Sequence, residues 1–465
     1  MRILARLFLV FALPLGLFAH TVGTPVGRTG APTDNGGLTC NECHKGGLGS
    51  ASFTVSVLPY TPGRSQSISI ILGIDSAAQD FGFQLTARLA SDTTKDAGYF
   101  LPTDDSQVYC ANGHAGPCGG AAVQFLTHTA ASTTPSSAGK RIWSATWVPP
   151  GRDIGPVHFY VAGVAGINTM ISGTKEDHTY TTDFIVPAAP CNLPGPVSIA
   201  PGSSSVEDGA SFRGTIASNG LISIFGSNFM VPSTAVPSPV GYSATANDLV
   251  NGNWPTDLGC VGVQVTTPDG TASRVPVFFV SSGQINAQAP KFAAGGQAQV
   301  QVILNPDANP PQKVVSNIYQ VKAAPVAPSL FTFNGQGTGN VAALDANKNN
   351  GYLADPSVVP GGVSAAPGDI IQIYGTGFGD TNPAYQPGVF AEVSPLPRLT
   401  NPVSVTIGGV ALSAQDIQYA GLAFDAPGLY QLNVRVPNVP DGDQLISVAM
   451  GNSTSQTNAT IPIKH

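Results

Sequence analysis

Beyond residue 20, apolar residues fall in short runs that alternate with polar ones. Val157-His158-Phe159-Tyr160-Val161, Leu221-Ile222-Ser223-Ile224-Phe225 and Ile370-Ile371-Gln372-Ile373-Tyr374 show the pattern. Alternation along an extended chain turns one face inward, as a half-buried strand requires. Clusters of Gly and Pro interrupt the runs, and many short strands divided by turn signals indicate β-sandwiches. The pattern predicts an all-β chain with no long amphipathic helix after the first nineteen residues.

Two motifs recur in order. Ser223-Ile224-Phe225-Gly226-Ser227-Asn228-Phe229 corresponds to Gln372-Ile373-Tyr374-Gly375-Thr376-Gly377-Phe378. Gln284-Ile285-Asn286-Ala287-Gln288-Ala289-Pro290 corresponds to Gln431-Leu432-Asn433-Val434-Arg435-Val436-Pro437. The offsets are 149 (Gly226 to Gly375) and 147 (Pro290 to Pro437), which implies two copies of one domain. In each copy Gly-x-x-Phe is expected to turn the chain sharply and bury the ring. The Pro-rich stretch Pro187 to Pro196 cannot sustain a helix or a central strand and is expected to be a linker. The predicted fold is therefore three Ig-like β-sandwich modules in tandem, the last two related by internal duplication. Their expected bounds are 20–187, a linker at 188–200, then 201–325 and 326–465.

Composition sharpens this picture. Charged residues make up 10% of the chain and the net charge is −7, which argues against nucleic acid or anionic lipid as partner. Residues 1–19 read as a secretory signal: Arg2 and Arg6, an apolar run from Leu7 to Phe18, then Ala19. No later run approaches the roughly 20 apolar residues of a spanning helix, so no membrane span is expected in the mature chain. The expected location is exported: periplasmic, outer-surface or extracellular.

Cys40-Asn41-Glu42-Cys43-His44 is the place where chemistry is legible. C-x-x-C-H is the c-type haem attachment motif, in which two thiols add to the haem vinyl groups and the adjacent imidazole binds iron. This predicts one covalent haem c with Cys40 and Cys43 as thioether partners and His44 as proximal ligand. The alternatives are a Cys40–Cys43 disulfide or a Cys40/Cys43/His44 metal knuckle, the latter needing a fourth ligand for zinc. For the distal position His128 is the favoured second metal ligand, ahead of His114, His158 and Met170. His158 reads better as a structural strand residue and Met170 as packing. The other four cysteines are expected to form disulfides, Cys110 with Cys118 around a flexible loop and Cys191 with Cys260. Sequence alone does not fix that pairing.

Asp345-Ala346-Asn347-Lys348-Asn349-Asn350-Gly351 alternates oxygen-bearing side chains before a glycine, as calcium loops do. The glycine comes one position late and Pro356 stands where a bidentate acid is required, so a solvated inter-strand turn fits better. Asp104-Asp105 and Glu176-Asp177 are adjacent acids of a kind common in polar turns. No nucleophile elbow, metalloprotease, P-loop or dinucleotide fingerprint is present, and no catalytic constellation is visible.

Two family resemblances follow from these residues. Ala210-Ser211-Phe212, Phe279 to Asn286, Ala327-Pro328-Ser329-Leu330-Phe331, Pro367-Gly368-Asp369, Tyr374 to Gly379, Tyr419-Ala420-Gly421 and Gly428 to Asn433, with Ser223 to Phe229, resemble the uncharacterised C-terminal domain of secreted Solibacter-type acidobacterial proteins. Each half of that region also resembles the Ig-like IPT/TIG modules, over about residues 195 to 463. Thr29 to Pro32, Thr39 to His44, Tyr60 to Gly63, Phe81 to Ala87, His128-Thr129, Trp147 to Pro150 and Gly155 to Tyr160 resemble the choice-of-anchor V domain, a relative of the reelin-type (Reeler) sandwich. These resemblances imply an exported, surface-associated protein.

Two functions compete. One is a non-catalytic cell-surface or extracellular protein for binding or adhesion, its partner a surface glycan or protein, with one haem c on the N-terminal module. The other is a monohaem electron-transfer or haem-sensor protein that meets a redox partner and uses the IPT-like modules as a docking stalk.

Overall fold

A computed structural model of the chain describes residues 24–465 apart from 74, 76, 119–121, 168–176, 190, 192–194, 231–240, 308–311, 393 and 425. The expected signal, 1–19, lies outside the described residues, as does Met170. The architecture is nearly all β, with several largely antiparallel sheets and only three single-turn 3-10 segments among the described residues. One compact unit comprises the described residues up to Leu58 with those of Ser67–Trp147 and Gly155–Pro187; the second comprises those of Pro59–Gln66, Val148–Ile154 and Ala188–His465.

The first unit is a sandwich of ten strands: β1 (Phe53–Ser56), β2 (Gln66–Leu72), β3 (Asp80–Leu89), β4 (Asp92–Asp96), β5 (Tyr99–Leu101), β6 (Ser106–Cys110), β7 (Gln124–His128), β8 (Arg141–Val148), β9 (Val157–Gly166) and β10 (His178–Val186). One sheet has the order β1-β2-β8-β5; the other runs β10-β9-β3-β7-β6, with β4 paired to β3. Along β8, buried Trp143, Ala145 and Trp147 alternate with outward-facing positions such as exposed Ile142 and Ser144. The two tryptophans fill the space between the sheets, Trp143 4.8 Å from the Phe83 ring and Trp147 4.8 Å from the Phe159 ring. Their indole N–H groups donate to Ser132 O and Ala97 O, both at 3.0 Å, so their burial leaves no donor unpaired.

Central strand β3 is buried on both faces. Phe83 faces the β1-β2-β8-β5 sheet, while the N-terminal segment covers the other face. Gln84 fastens that segment, accepting from Arg28 N–H at 2.7 Å and donating to Thr24 O and Pro25 O at 3.1 Å. Fully buried Arg88 pairs with Asp34.

The duplication is visible as shared register. In the first copy strand Leu221–Ser227 pairs with Gln284–Gln288 and sets Ile224 opposite Ile285. In the second, Ile370–Thr376 pairs with Tyr430–Arg435 and sets Ile373 opposite Leu432. Gly226 and Gly375 also occupy matching environments. A Cβ on Gly226 would strike Ser198 O and the Phe229 ring, and one on Gly375 would strike Ser329 O and the Phe378 ring. Neither has a positive φ, so close approach of a neighbouring backbone and a buried ring, rather than a sharp turn, demands glycine here. Both Phe229 and Phe378 are fully buried.

The two copies are joined by specific hydrogen bonds. Leu221 N–H donates to Thr376 Oγ1 at 2.8 Å, Gly388 N–H to Gln288 Oε1 at 2.7 Å and Arg213 to Pro328 O at 2.6 Å. Disulfides close Cys110–Cys118 and Cys191–Cys260, the pairing expected from the sequence.

Candidate functional site

The C-x-x-C-H segment forms one tight turn. Cys40–Glu42 is a 3-10 turn whose preceding Thr39 side chain accepts from Asn41 N–H, an N-cap that the Thr-Cys-Asn order supplies. Cys40 O accepts from both Cys43 N–H at 3.3 Å and His44 N–H at 3.1 Å. Glu42 pairs with Arg28, and Lys45 Nζ donates to Asn41 O at 3.1 Å.

After the turn, the chain runs along the free edge of β10. Thr179 N–H donates to Gly47 O at 2.8 Å, and Leu48 forms a parallel bridge with Thr179. This covers an edge strand that would otherwise offer unpaired backbone groups. Gly46 is required at the crossing, because a Cβ there would overlap the Asp177 backbone.

That crossing sets His44 beside Asp177. His44 Nδ1 lies 2.7 Å from Asp177 Oδ2, and Asp177 Oδ1 accepts from Ile167 N–H at 3.2 Å. The Asp177 side chain is 3% exposed and that of His44 24%. An ionised carboxylate only accepts, so the Nδ1 that faces it carries a proton. A carboxylate behind one ring nitrogen is how proteins orient an imidazole whose other nitrogen binds metal. Asp177, read from sequence as one of two adjacent acids in a polar turn, is a buried partner of the motif histidine. Glu176 lies outside the described residues.

Cys40 is buried, Cys43 is exposed, and both are free thiols. Burial pushes the Cys40 thiol up to about 12, with backbone hydrogen bonding and Arg28 opposing and Cys43 adding to the rise, so Cys40 stays protonated in this fold. Among the described residues no group of three His, Cys, Asp or Glu side chains converges as a metal cage. The two thiols are not joined in a disulfide. What the segment offers is two unpaired thiols and an oriented imidazole, which fit covalent haem c.

His128, the expected distal ligand, stands on a different strand from the one this turn borders. His128 ends β7, separated from β10 by β9 and β3, about 14 Å across the sheet at the usual strand spacing. Its ring is 4% exposed, with Nδ1 3.2 Å from Phe83 N–H. Nδ1 also lies 3.3 Å from Phe83 O and 3.3 Å from Thr127 Oγ1, so the ring is held between β3 and β7. Gly82 makes room for the ring, since a Cβ there would lie 2.8 Å from Cε1. His128 bridges two strands.

The other histidines are placed as clearly. His158 uses both ring nitrogens, on Asp183 at 2.8 Å and Tyr160 at 2.9 Å, as a structural strand residue. His114 is exposed in the Cys110–Cys118 loop. Sequence reading passed over His178, whose Nδ1 lies 2.5 Å from Asp75 Oδ2, an oxygen that also accepts from Tyr180 OH at 3.0 Å. Burial raises the Asp75 carboxyl, but the bonds from His178 and Tyr180 outweigh it and hold the group below its ordinary value. Burial, then the Asp75 carboxylate, pushes Tyr180 up to about 12.

No family model matches the chain, and no curated protein matches it. Among solved structures, the human F-spondin reeler domain is similar at 17% identity, over 31% of this chain and 93% of that one, with a TM-score of 0.20. The Bacteroides ovatus mixed-linkage glucan utilization locus protein SGBP-B, in complex with a mixed-linkage heptasaccharide, is similar at 10% identity over 90% of this chain and 70% of its own, with a TM-score of 0.24. The Escherichia coli adhesin FdeC is similar at 10% identity over 89% and 97%, with a TM-score of 0.16. No helix among the described residues is long and apolar enough to cross a membrane.

Proposed function

We propose that this is an exported, non-catalytic cell-surface or extracellular protein for binding or adhesion, carrying one covalent haem c on its N-terminal sandwich. Cys40 and Cys43 hold the haem and His44 is its proximal ligand. The observation that carries the haem assignment is the contrast among the six cysteines. Four are paired in disulfides, while the two of the C-x-x-C-H turn are free beside an imidazole oriented by Asp177. The disulfides suit an oxidising compartment, where c-type haem is attached. The resemblances to the choice-of-anchor V and Solibacter-type domains support the export reading.

Bound there, haem c supplies a one-electron centre. The chain's own part is to hold Nδ1 of His44 through Asp177 and to brace the turn through the Thr39 cap and the Arg28–Glu42 pair. A sandwich surface offers no helical envelope around the group, which favours an auxiliary haem on a binding protein over a dedicated electron carrier. The test is expression of the mature chain in a periplasm equipped for c-type maturation, followed by a pyridine haemochrome spectrum. The native chain should show a haem c spectrum and a Cys40→Ala/Cys43→Ala variant none; absence from the native chain, with a control cytochrome matured, would remove the assignment.

A further inference from the structure

In the second copy, strands Gly351–Tyr352, Ala343–Asp345, Ile370–Thr376, Tyr430–Arg435 and Ile417–Leu422 lie side by side in one sheet. Ile371, Ile373, Leu432 and Val434 point into the core and are buried. Alternation turns Gln372, Tyr374, Gln431 and Asn433 to the other face, where each is half-buried. Directly paired positions share a face, so the register carries one row across the sheet. Tyr352 stands opposite Leu344, Leu344 opposite Gln372, Gln372 opposite Asn433 and Asn433 opposite Tyr419.

Tyrosines stand at both ends of this row. The Tyr352 side chain is 52% exposed, yet the Phe333 ring braces it edge-on with centroids 5.6 Å apart. At the far end Tyr419 lies across Gly421, where a Cβ would sit 2.5 Å from the phenol oxygen. Between them the polar groups hold one another: Tyr374 OH donates to Gln372 Oε1 at 3.3 Å, and Gln431 Nε2 donates to Asn433 Oδ1 at 2.7 Å. Those bonds fix the amides and leave Gln372 Nε2, Asn433 Nδ2 and Gln431 Oε1 without a partner among the described residues.

The first copy has a smaller and more closed version of the row. At the 149-residue offset Ser223 and Phe225 stand where the second copy has Gln372 and Tyr374, while Gln284 and Asn286 match Gln431 and Asn433 at 147. There Ser223 Oγ and Gln284 Nε2 both donate to Asn286 Oδ1, at 3.1 Å and 2.8 Å. The second copy thus presents an amide and a phenol that its sister lacks.

The chemistry of the face selects its partner. Between Tyr352 and Tyr419 the outward positions carry no charge, and the two bordering arginines are engaged, Arg398 over the Tyr419 ring at 5.2 Å and Arg435 with Asp416 at 3.8 Å. An anionic or cationic ligand therefore meets no free counter-charge. Leu344 is the one aliphatic side chain in the row, too little for the apolar centre of a protein interface. Primary amides both donate and accept, as sugar hydroxyls do, and a tyrosine ring offers a flat apolar surface with a polar tip.

We propose that Tyr352, Gln372, Tyr374, Gln431 and Asn433 form a binding platform for a neutral polysaccharide. The Tyr352 ring stacks on a sugar ring and the unpartnered amide groups take its neighbours' hydroxyls. The proposal rests on the binding-protein reading, for which it names the partner class, and is independent of haem.

Affinity electrophoresis of the full mature chain in native gels tests this, with hydroxyethylcellulose, xylan, galactomannan or amylopectin in the gel and dextran sulfate as the charged control. At least one neutral polymer should retard the native chain. Tyr352→Ala and Gln372→Ala, changes at solvent-reached positions, should each weaken that retardation by roughly tenfold, the loss of one good contact. Gln284→Ala, the matching face of the first copy, should migrate as the native chain does. Full retardation of the folded Tyr352→Ala and Gln372→Ala variants would overturn the site and leave a glycan-binding protein with its site elsewhere. Retardation by none of the neutral polymers would overturn the proposal and leave the binding reading to a protein partner. Retardation by dextran sulfate alone would overturn it as well, because charge would then select the ligand.

Discussion

Asp177 Oδ2 lies 2.7 Å from His44 Nδ1, across 133 residues of chain. The contact ties the C-x-x-C-H turn to the entry of β10 and ends the freedom of the imidazole. Asp177→Ala should therefore destabilise the first unit by about 1–3 kcal/mol, the cost of stranding buried hydrogen-bonding groups. Asp177→Asn, which keeps an acceptor for Ile167 N–H, should lose less. Urea unfolding midpoints would show the order. In haem-loaded protein the alanine variant should also shift the reduction potential, because ligand orientation changes; an unaltered potential would separate Asp177 from the iron ligand.

Gly226→Ala and Gly375→Ala test the duplicated motif. Each added methyl meets a backbone carbonyl and a buried phenylalanine ring, so each should cost about 1–3 kcal/mol by overpacking. Matching losses in denaturant unfolding are expected from matching environments. A neutral effect at both sites would contradict the close approach.

The two disulfides differ in what they constrain. Their cysteines are 8 and 69 residues apart, so loop-closure entropy assigns about 2 kcal/mol to Cys110–Cys118 and about 4 kcal/mol to Cys191–Cys260. Paired Cys→Ala substitutions, followed by urea unfolding, should show the larger loss for Cys191–Cys260. The reverse order would mean that local packing outweighs chain entropy.

Asp75 gives a pH dependence. Its folded carboxyl is held below the ordinary 3.8 despite burial, by bonds from His178 and Tyr180. A depressed acid contributes stability above its unfolded value and loses it as pH falls through the folded one. Stability of the first unit should drop below about pH 4, and Asp75→Asn should flatten part of that drop. An acid limb of equal steepness in the variant would assign it to other carboxylates.

What the sequence made legible was local or repeated. Alternation in runs such as Leu221–Phe225 and Ile370–Tyr374 disclosed strands, and the recurrence of Gly226 and Pro290 at nearly one offset disclosed two copies with one register. Cys110 and Cys118 were legible because they bracket a short loop. The contacts that shape the sites join distant segments. Asp177 looked like an ordinary turn acid because nothing in its neighbourhood records that residues 46–49 lie along the β10 edge. The backbone group that holds His128, Phe83 N–H, belongs to another strand and leaves no mark near it in the sequence.

The central claim concerns the covalent bonds at Cys40 and Cys43. Intact mass of the denatured mature chain, matured in a periplasm with c-type machinery, tests it most directly. The expected result is a mass increased by one haem that persists after denaturation and disappears in Cys40→Ala/Cys43→Ala. A native chain at its apo mass, with a control cytochrome fully loaded in the same cells, would contradict the account.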